Sequence, residues 1–246
     1  MMVSSVVLKD AAGVAGNVFA FGLFMSPIQL CRPTFRRIIR NGSTEAFSGL
    51  PYIYALLNCL ITLWYGTPLI SDNNLMVLTV NAIGAAFQFI YLAIFIVYAE
   101  KEQKLRMFGF LVAVLGLFGI IVVGSLQIAD TNTRWIFVGI LSSAALISMF
   151  ASPLFVVSLV IRTKSVEYMP FYLSLSTFLM SSSFLLYGIL NLDVFVYVPN
   201  GIGTILGIVQ LVLYYYYKGR SRDESQDPLI VTYTQVSAIE PRVEGS

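Results

Sequence analysis

The chain has 246 residues, 57% of them hydrophobic and 11% charged, with a net charge of +2 and no histidine. A soluble domain carries about 25% charged residues, so this composition describes a chain immersed in lipid. So small a net charge gives no footing for nucleic acid, and two cysteines without histidine argue against a His/Cys metal site or a disulfide framework.

Seven apolar segments, near residues 10–31, 47–69, 74–98, 107–127, 135–160, 169–190 and 195–217, are long enough to cross a hydrocarbon core of about 30 Å. Lipid offers the backbone no hydrogen bonds, so each segment is expected to be a helix. The first holds Leu23, Ser26-Pro27 and Cys31, and is followed by Arg32, Arg36, Arg37 and Arg40. Arginines after the span, not before it, argue against a cleaved signal peptide. The second holds Pro51, Cys59, Thr62 and Tyr65-Gly66, and the third Asn81-Ala82-Ile83-Gly84 before Lys101, Lys104 and Arg106. The fourth has no such motif. Ser152-Pro153 lies in the fifth, with Arg162 and Lys164 behind it; Pro170, Phe184 and Tyr187-Gly188 lie in the sixth. Asn200-Gly201-Ile202-Gly203 lies in the seventh, ahead of Lys218, Arg220 and Arg222, with Arg242 further along the tail. Only Lys9 and Arg134 fall on the other side. That bias places the amino terminus away from the cytosol and the tail within it. The sequon Asn41-Gly42-Ser43 is then cytosolic and should stay unmodified.

The motifs recur in one order about 120 residues apart: Ser26-Pro27 with Ser152-Pro153, Ser43-Thr44-Glu45 with Ser165-Val166-Glu167, Tyr65-Gly66 with Tyr187-Gly188, and Asn81 with Asn200. A three-helix unit that starts outside ends inside. A second copy with the same sidedness therefore needs one extra crossing helix. The expected organisation is a first repeat over 10–98, a linker helix region over 99–134, a second repeat over 135–218 and a disordered cytosolic tail over 219–246. Such parallel repeats are related by an axis along the membrane normal.

The strings Phe150-Ala151-Ser152-Pro153-Leu154, Arg162-Thr163-Lys164-Ser165-Val166-Glu167-Tyr168-Met169-Pro170 and Tyr197-Val198-Pro199-Asn200-Gly201-Ile202-Gly203 resemble plant SWEET sugar transporters over residues 10–218, with the vacuolar-membrane branch the closer one. The resemblance implies an all-α, 3+1+3 polytopic fold and a bidirectional uniporter for a monosaccharide. It also implies a homo-oligomer, a trimer being one form, and no cofactor. Asn81 and Asn200 would hold the sugar, since a carboxamide both donates to and accepts from hydroxyls. A lone intramembrane Asn more often serves an interhelical hydrogen bond; the symmetric pair favours the site. In the family the Thr62 and Phe184 positions line the site, Phe184 replacing the commoner Trp. A bulky residue at Met149, the counterpart of Leu23, resembles the monosaccharide-selective branch because it leaves less room for a second ring.

Pro27, Pro51, Pro153 and Pro170 fall in helices one and two of each repeat and are expected, as in the family, to act as hinges of an inner gate. Tyr65 and Asp193 are expected to close the outer mouth by a phenol-to-carboxylate hydrogen bond. No Asp, Glu, Lys or Arg lies mid-span, so ion coupling has no evident carrier. Glu224-Ser225-Gln226-Asp227-Pro228-Leu229-Ile230 resembles an acidic dileucine sorting signal and favours the vacuolar over the plasma membrane. A seven-helix receptor shares the orientation, but the third span ends Tyr98-Ala99-Glu100 without an Asp-Arg pair, and the repeat is foreign to receptors. Neither charge rings nor a carbonyl filter point to a channel.

Overall fold

A computed structural model describes residues 2–30, 40, 49–166 and 169–224, with side chains over 5–25, 40, 49–166 and 169–218. Cys31, Arg32, Arg36 and Arg37, the sequon, the Ser43-Thr44-Glu45 motif, Glu167-Tyr168 and the sorting motif from Ser225 onward lie outside the described residues, as does the side chain of Pro27.

Among the described residues the chain is all helix: α1 (Met2–Leu30), α2 (Leu50–Tyr65), α3 (Leu75–Tyr98), α4 (Lys101–Leu126), α5 (Thr131–Ser148), α6 (Ala151–Thr163), α7 (Phe171–Leu190) and α8 (Val194–Glu224). Six spans are long and apolar enough to cross a membrane, α5 and α6 together making one of them, and α2 is a shorter apolar helix. This is a multi-pass membrane protein with seven crossings. At 16 residues α2 is one turn shorter than the 20-residue α7, and the chain past Tyr65 completes its crossing as turns. The fifth span breaks at Met149-Phe150, where the amides bond three residues back, to Leu146 and Ile147. Pro153 has no N–H to return to the Met149 carbonyl, so the helix restarts as α6. Its counterpart α1 runs unbroken through Leu23.

Without a hydrophobic drive between helices in lipid, close backbone approach and shape decide the packing. Within each repeat the third helix lies between the other two: α3 packs on α1 and α2, and α8 on α7 and on α5–α6. Tyr-Gly marks the tightest point. A Cβ on Gly66 would sit 2.6 Å from the Leu78 amide, and one on Gly188 would sit 2.7 Å from the Tyr197 amide. Only glycine lets the end of helix two touch the backbone of helix three. The repeats meet through α1 against α7 and, less extensively, α2 against α5.

Each repeat also ties its first helix to its third with the same polar link. Asn17 donates to the Met76 carbonyl at 3.0 Å, and its counterpart Ser143 to the Phe195 carbonyl at 3.1 Å. Pro199 inside α8 has no N–H to offer that Phe195 carbonyl, which leaves it free for Ser143.

The linker helix α4 leans on the first repeat through one narrow seam. Met107, Leu111, Val114, Phe118 and Ile121 recur at alternating four- and three-residue steps; the first four enter the α2–α3 core or pack against it, and Ile121 is buried. Trp64 of α2 adds a 3.0 Å hydrogen bond to Ser125. Leu105, Phe108, Val112 and Ile120 on the other faces are exposed, as lipid contact requires. At its far end the chain turns at Asp130, whose carboxylate caps α5 by accepting from the Thr133 amide and hydroxyl. Those bonds hold the Asp130 carboxyl below its usual range.

Candidate functional site

The two repeats enclose a cavity of about 390 Å³, within the ~300–1,000 Å³ typical of small-molecule sites. Leu23, Thr62, Asn81, Met149, Phe184 and Asn200 all line it, so the six residues singled out from the sequence share one surface. Asn81 and Asn200 are held alike. Each Nδ2 donates at 2.8 Å to the carbonyl four residues back, Val77 or Val196. That fixes each carboxamide and leaves its oxygen and a second N–H for the cavity. Both lie two turns, about 10 Å, along their helix from its N-cap.

The walls exchange volume across the axis. Phe184 occupies the space over Gly16, where a Cβ would lie 2.7 Å from the ring. Thr62 instead meets Ser142, the counterpart of Gly16, through a 3.2 Å hydroxyl contact. One side is aromatic and the other polar. Further along, Phe24 and Phe150 both line the cavity, and each rests on the glycine three residues past the paired asparagine, Gly84 or Gly203.

At the end where α1 begins, the cavity stops at Tyr65. Its hydroxyl donates to the Asp193 carboxylate at 2.7 Å to both oxygens and accepts from the Trp135 indole at 2.9 Å. Asp193, Trp135 and Asn191 line a second, polar hollow of about 340 Å³. The hydrogen-bonded layer therefore separates two hollows.

The sequence model of the family described as "sugar efflux transporter for intercellular exchange" matches residues 10–103 and 136–222. "Bidirectional sugar transporter SWEET2" of Arabidopsis thaliana is 66% identical over 226 residues, covering 92% of this chain and 94% of that protein. The chain belongs to the SWEET family. "Bidirectional sugar transporter SWEET2a" of Sorghum bicolor is 61% identical over 91% of this chain and 90% of that one. A solved eukaryotic SWEET transporter, 53% identical, superposes with a TM-score of 0.84 over 87% of this chain and 99% of its own. The 3+1+3 fold is thus that of a SWEET, and a receptor is set aside.

This SWEET also shows polar groups that the repeat-based reading passed over. Asn58 and Gln88 line the cavity, 7% and 8% exposed, and the side-chain oxygen of each has no hydrogen-bond partner among the described residues. Their repeat counterparts are Met180 and Gly207, so no symmetric pair drew attention to them. The available signal was simpler: an amide inside an apolar span.

The prolines are placed differently from one another. Pro51 stands in the first turn of α2 and Pro170 is the N-cap of α7. A proline at a helix start removes no intrahelical bond and presets φ, so these two begin helices and kink neither. Pro153 lies in the first turn of α6, beside the break and on the cavity wall. Pro27 is placed by its backbone in α1.

Proposed function

We propose that the chain is a bidirectional sugar uniporter that binds a monosaccharide between Asn81 and Asn200 and exposes it alternately to either side of the membrane. The observation that supports this most is the matched pair of carboxamides, each pinned by one N–H and facing one cavity from symmetric helices. A pyranose presents hydroxyls that donate and accept around an apolar ring face. The Asn oxygens and free N–H groups suit the hydroxyls, and Phe184 suits the ring face. The orphan oxygens of Asn58 and Gln88 add two acceptors. Met149 and Leu23 add bulk to the wall of the same cavity, which favours one ring over two.

The Tyr65–Asp193 contact would be the outer gate, closed here, with Pro27, Pro51, Pro153 and Pro170 serving the inner gate. The break at Met149-Phe150 supports motion there, and the helix-starting prolines would let α2 and α7 swing at their ends. The units 10–98 and 135–218 would rock about α4. Among the described residues, those lining the cavity include no Asp, Glu, Lys or Arg, which supports movement down the sugar gradient without ion coupling. Basic loops orient the tail to the cytosol. The resemblance to the vacuolar-membrane branch and the tail motif support the vacuolar membrane. Assembly as a homo-oligomer, as a trimer in one form, follows from the family resemblance.

Radiolabelled glucose and sucrose uptake into proteoliposomes tests the site. The wild type should take up glucose in preference to sucrose, and Asn81→Ala and Asn200→Ala should each lower glucose uptake by about tenfold, the equivalent of one or two hydrogen bonds. Undiminished uptake in both variants contradicts the assignment.

A further inference from the structure

The layer over the cavity is built twice, once from each repeat. Just before helix three, Asn73 (φ 59°) and its counterpart Leu192 (φ 54°) both adopt the left-handed conformation. That turn delivers the next residue, Asn74 or Asp193, to the start of α3 or α8. Tyr65 of the first repeat reaches Asp193 in the second, while its counterpart Tyr187 reaches the Asn73 carbonyl at 2.6 Å. Asn74 and Asp193 then meet each other across the pseudo-twofold axis, Nδ2 donating to Oδ2 at 2.5 Å.

Two equivalent positions in contact with each other cannot both be carboxylates without repulsion. The chain resolves this with one amide and one acid. Asn74 is 1% exposed and uses its whole carboxamide: its N–H groups go to Asp193 and Ser71, and its oxygen accepts from Asn191 at 2.9 Å. Arg134, which shares this side of the molecule with Lys9, spends its guanidinium on the carbonyls of Ile128 and Leu69 and bonds to neither.

We propose that Asn74 and Asp193 form a latch on the pseudo-twofold axis, requiring one amide and one carboxylate in either order, and that its release opens the Tyr65 end of the cavity. The link to transport rests on the uniporter reading, but the latch has a readout of its own. Spin labels are placed at Leu69 and Leu192, both exposed, in the full chain with Cys31 and Cys59 replaced by Ala. Distances and glucose uptake are measured in proteoliposomes for the wild type, Asn74→Asp, and Asn74→Asp combined with Asp193→Asn. The single variant faces two carboxylates and should shift the label pair to longer distances while lowering uptake by about tenfold. The exchanged pair should restore the short distance and most of the uptake. If the exchanged pair remains as open as the single variant, or the single variant keeps the short distance, the latch is wrong. If the distances follow this pattern while no protein moves glucose, the latch stands and the substrate reading falls.

Discussion

At the scale of the residue, an intramembrane amide is informative only when its hydrogen bonds are accounted for. Asn81 and Asn200 each give one N–H to their own helix, which orients the remaining groups toward the cavity. Their pairing was legible from the repeat, because duplicated sequence preserves duplicated geometry. Asn58, Gln88 and Asn74 were not, because their partners in the other repeat are chemically different: Met180, Gly207 and Asp193. An unpaired buried oxygen costs roughly 1–3 kcal/mol, which a structural role would not retain. Gln88→Leu should therefore raise the melting temperature of the detergent-solubilised protein and lower its glucose uptake; a fall in both would make Gln88 a packing residue. Met149→Val removes volume from the cavity wall and should raise sucrose uptake relative to glucose, read as the ratio of initial rates. An unchanged ratio would take Met149 out of selectivity.

At the scale of the element, the apolar runs and the basic loops were enough to place seven crossings. Their internal detail was not. The break between α5 and α6 needs a proline, a run of three-residue turns and a neighbour to pack on, and Ser26-Pro27 offered the same local text without a break in α1. Likewise the Tyr-Gly pairs were visible as repeat markers, while their cause is a backbone contact that only the folded chain displays. Gly66→Ala and Gly188→Ala should each destabilise the protein by about 1–3 kcal/mol, because the neighbour is backbone and cannot step aside. Gly116→Ala on α4 meets nothing within 4 Å and should be neutral or stabilising by about 0.5–1 kcal/mol. Thermal unfolding in one detergent compares all three, and equal effects would contradict the close-approach argument.

At the scale of the molecule, one axis organises the protein. The helix-one links of Asn17 and Ser143, the glycine contacts at the ends of α2 and α7, the paired asparagines and the paired turns at Asn73 and Leu192 are copies of one design. The departures from symmetry sit where chemistry needs them: Phe184 opposite Thr62 in the cavity, and Asp193 opposite Asn74 in the layer above it. On the proposed reading, a carrier of this kind would hold its substrate on the axis and need no titratable group to move it. Uptake should accordingly be flat across changes of pH that leave the sugar gradient unaltered. The most direct measurement is labelled glucose uptake into proteoliposomes with and without an imposed pH gradient. The account predicts that internal label rises to the external concentration and stops there in both cases, faster when unlabelled glucose is preloaded. Accumulation above that level when the pH gradient is present would contradict it.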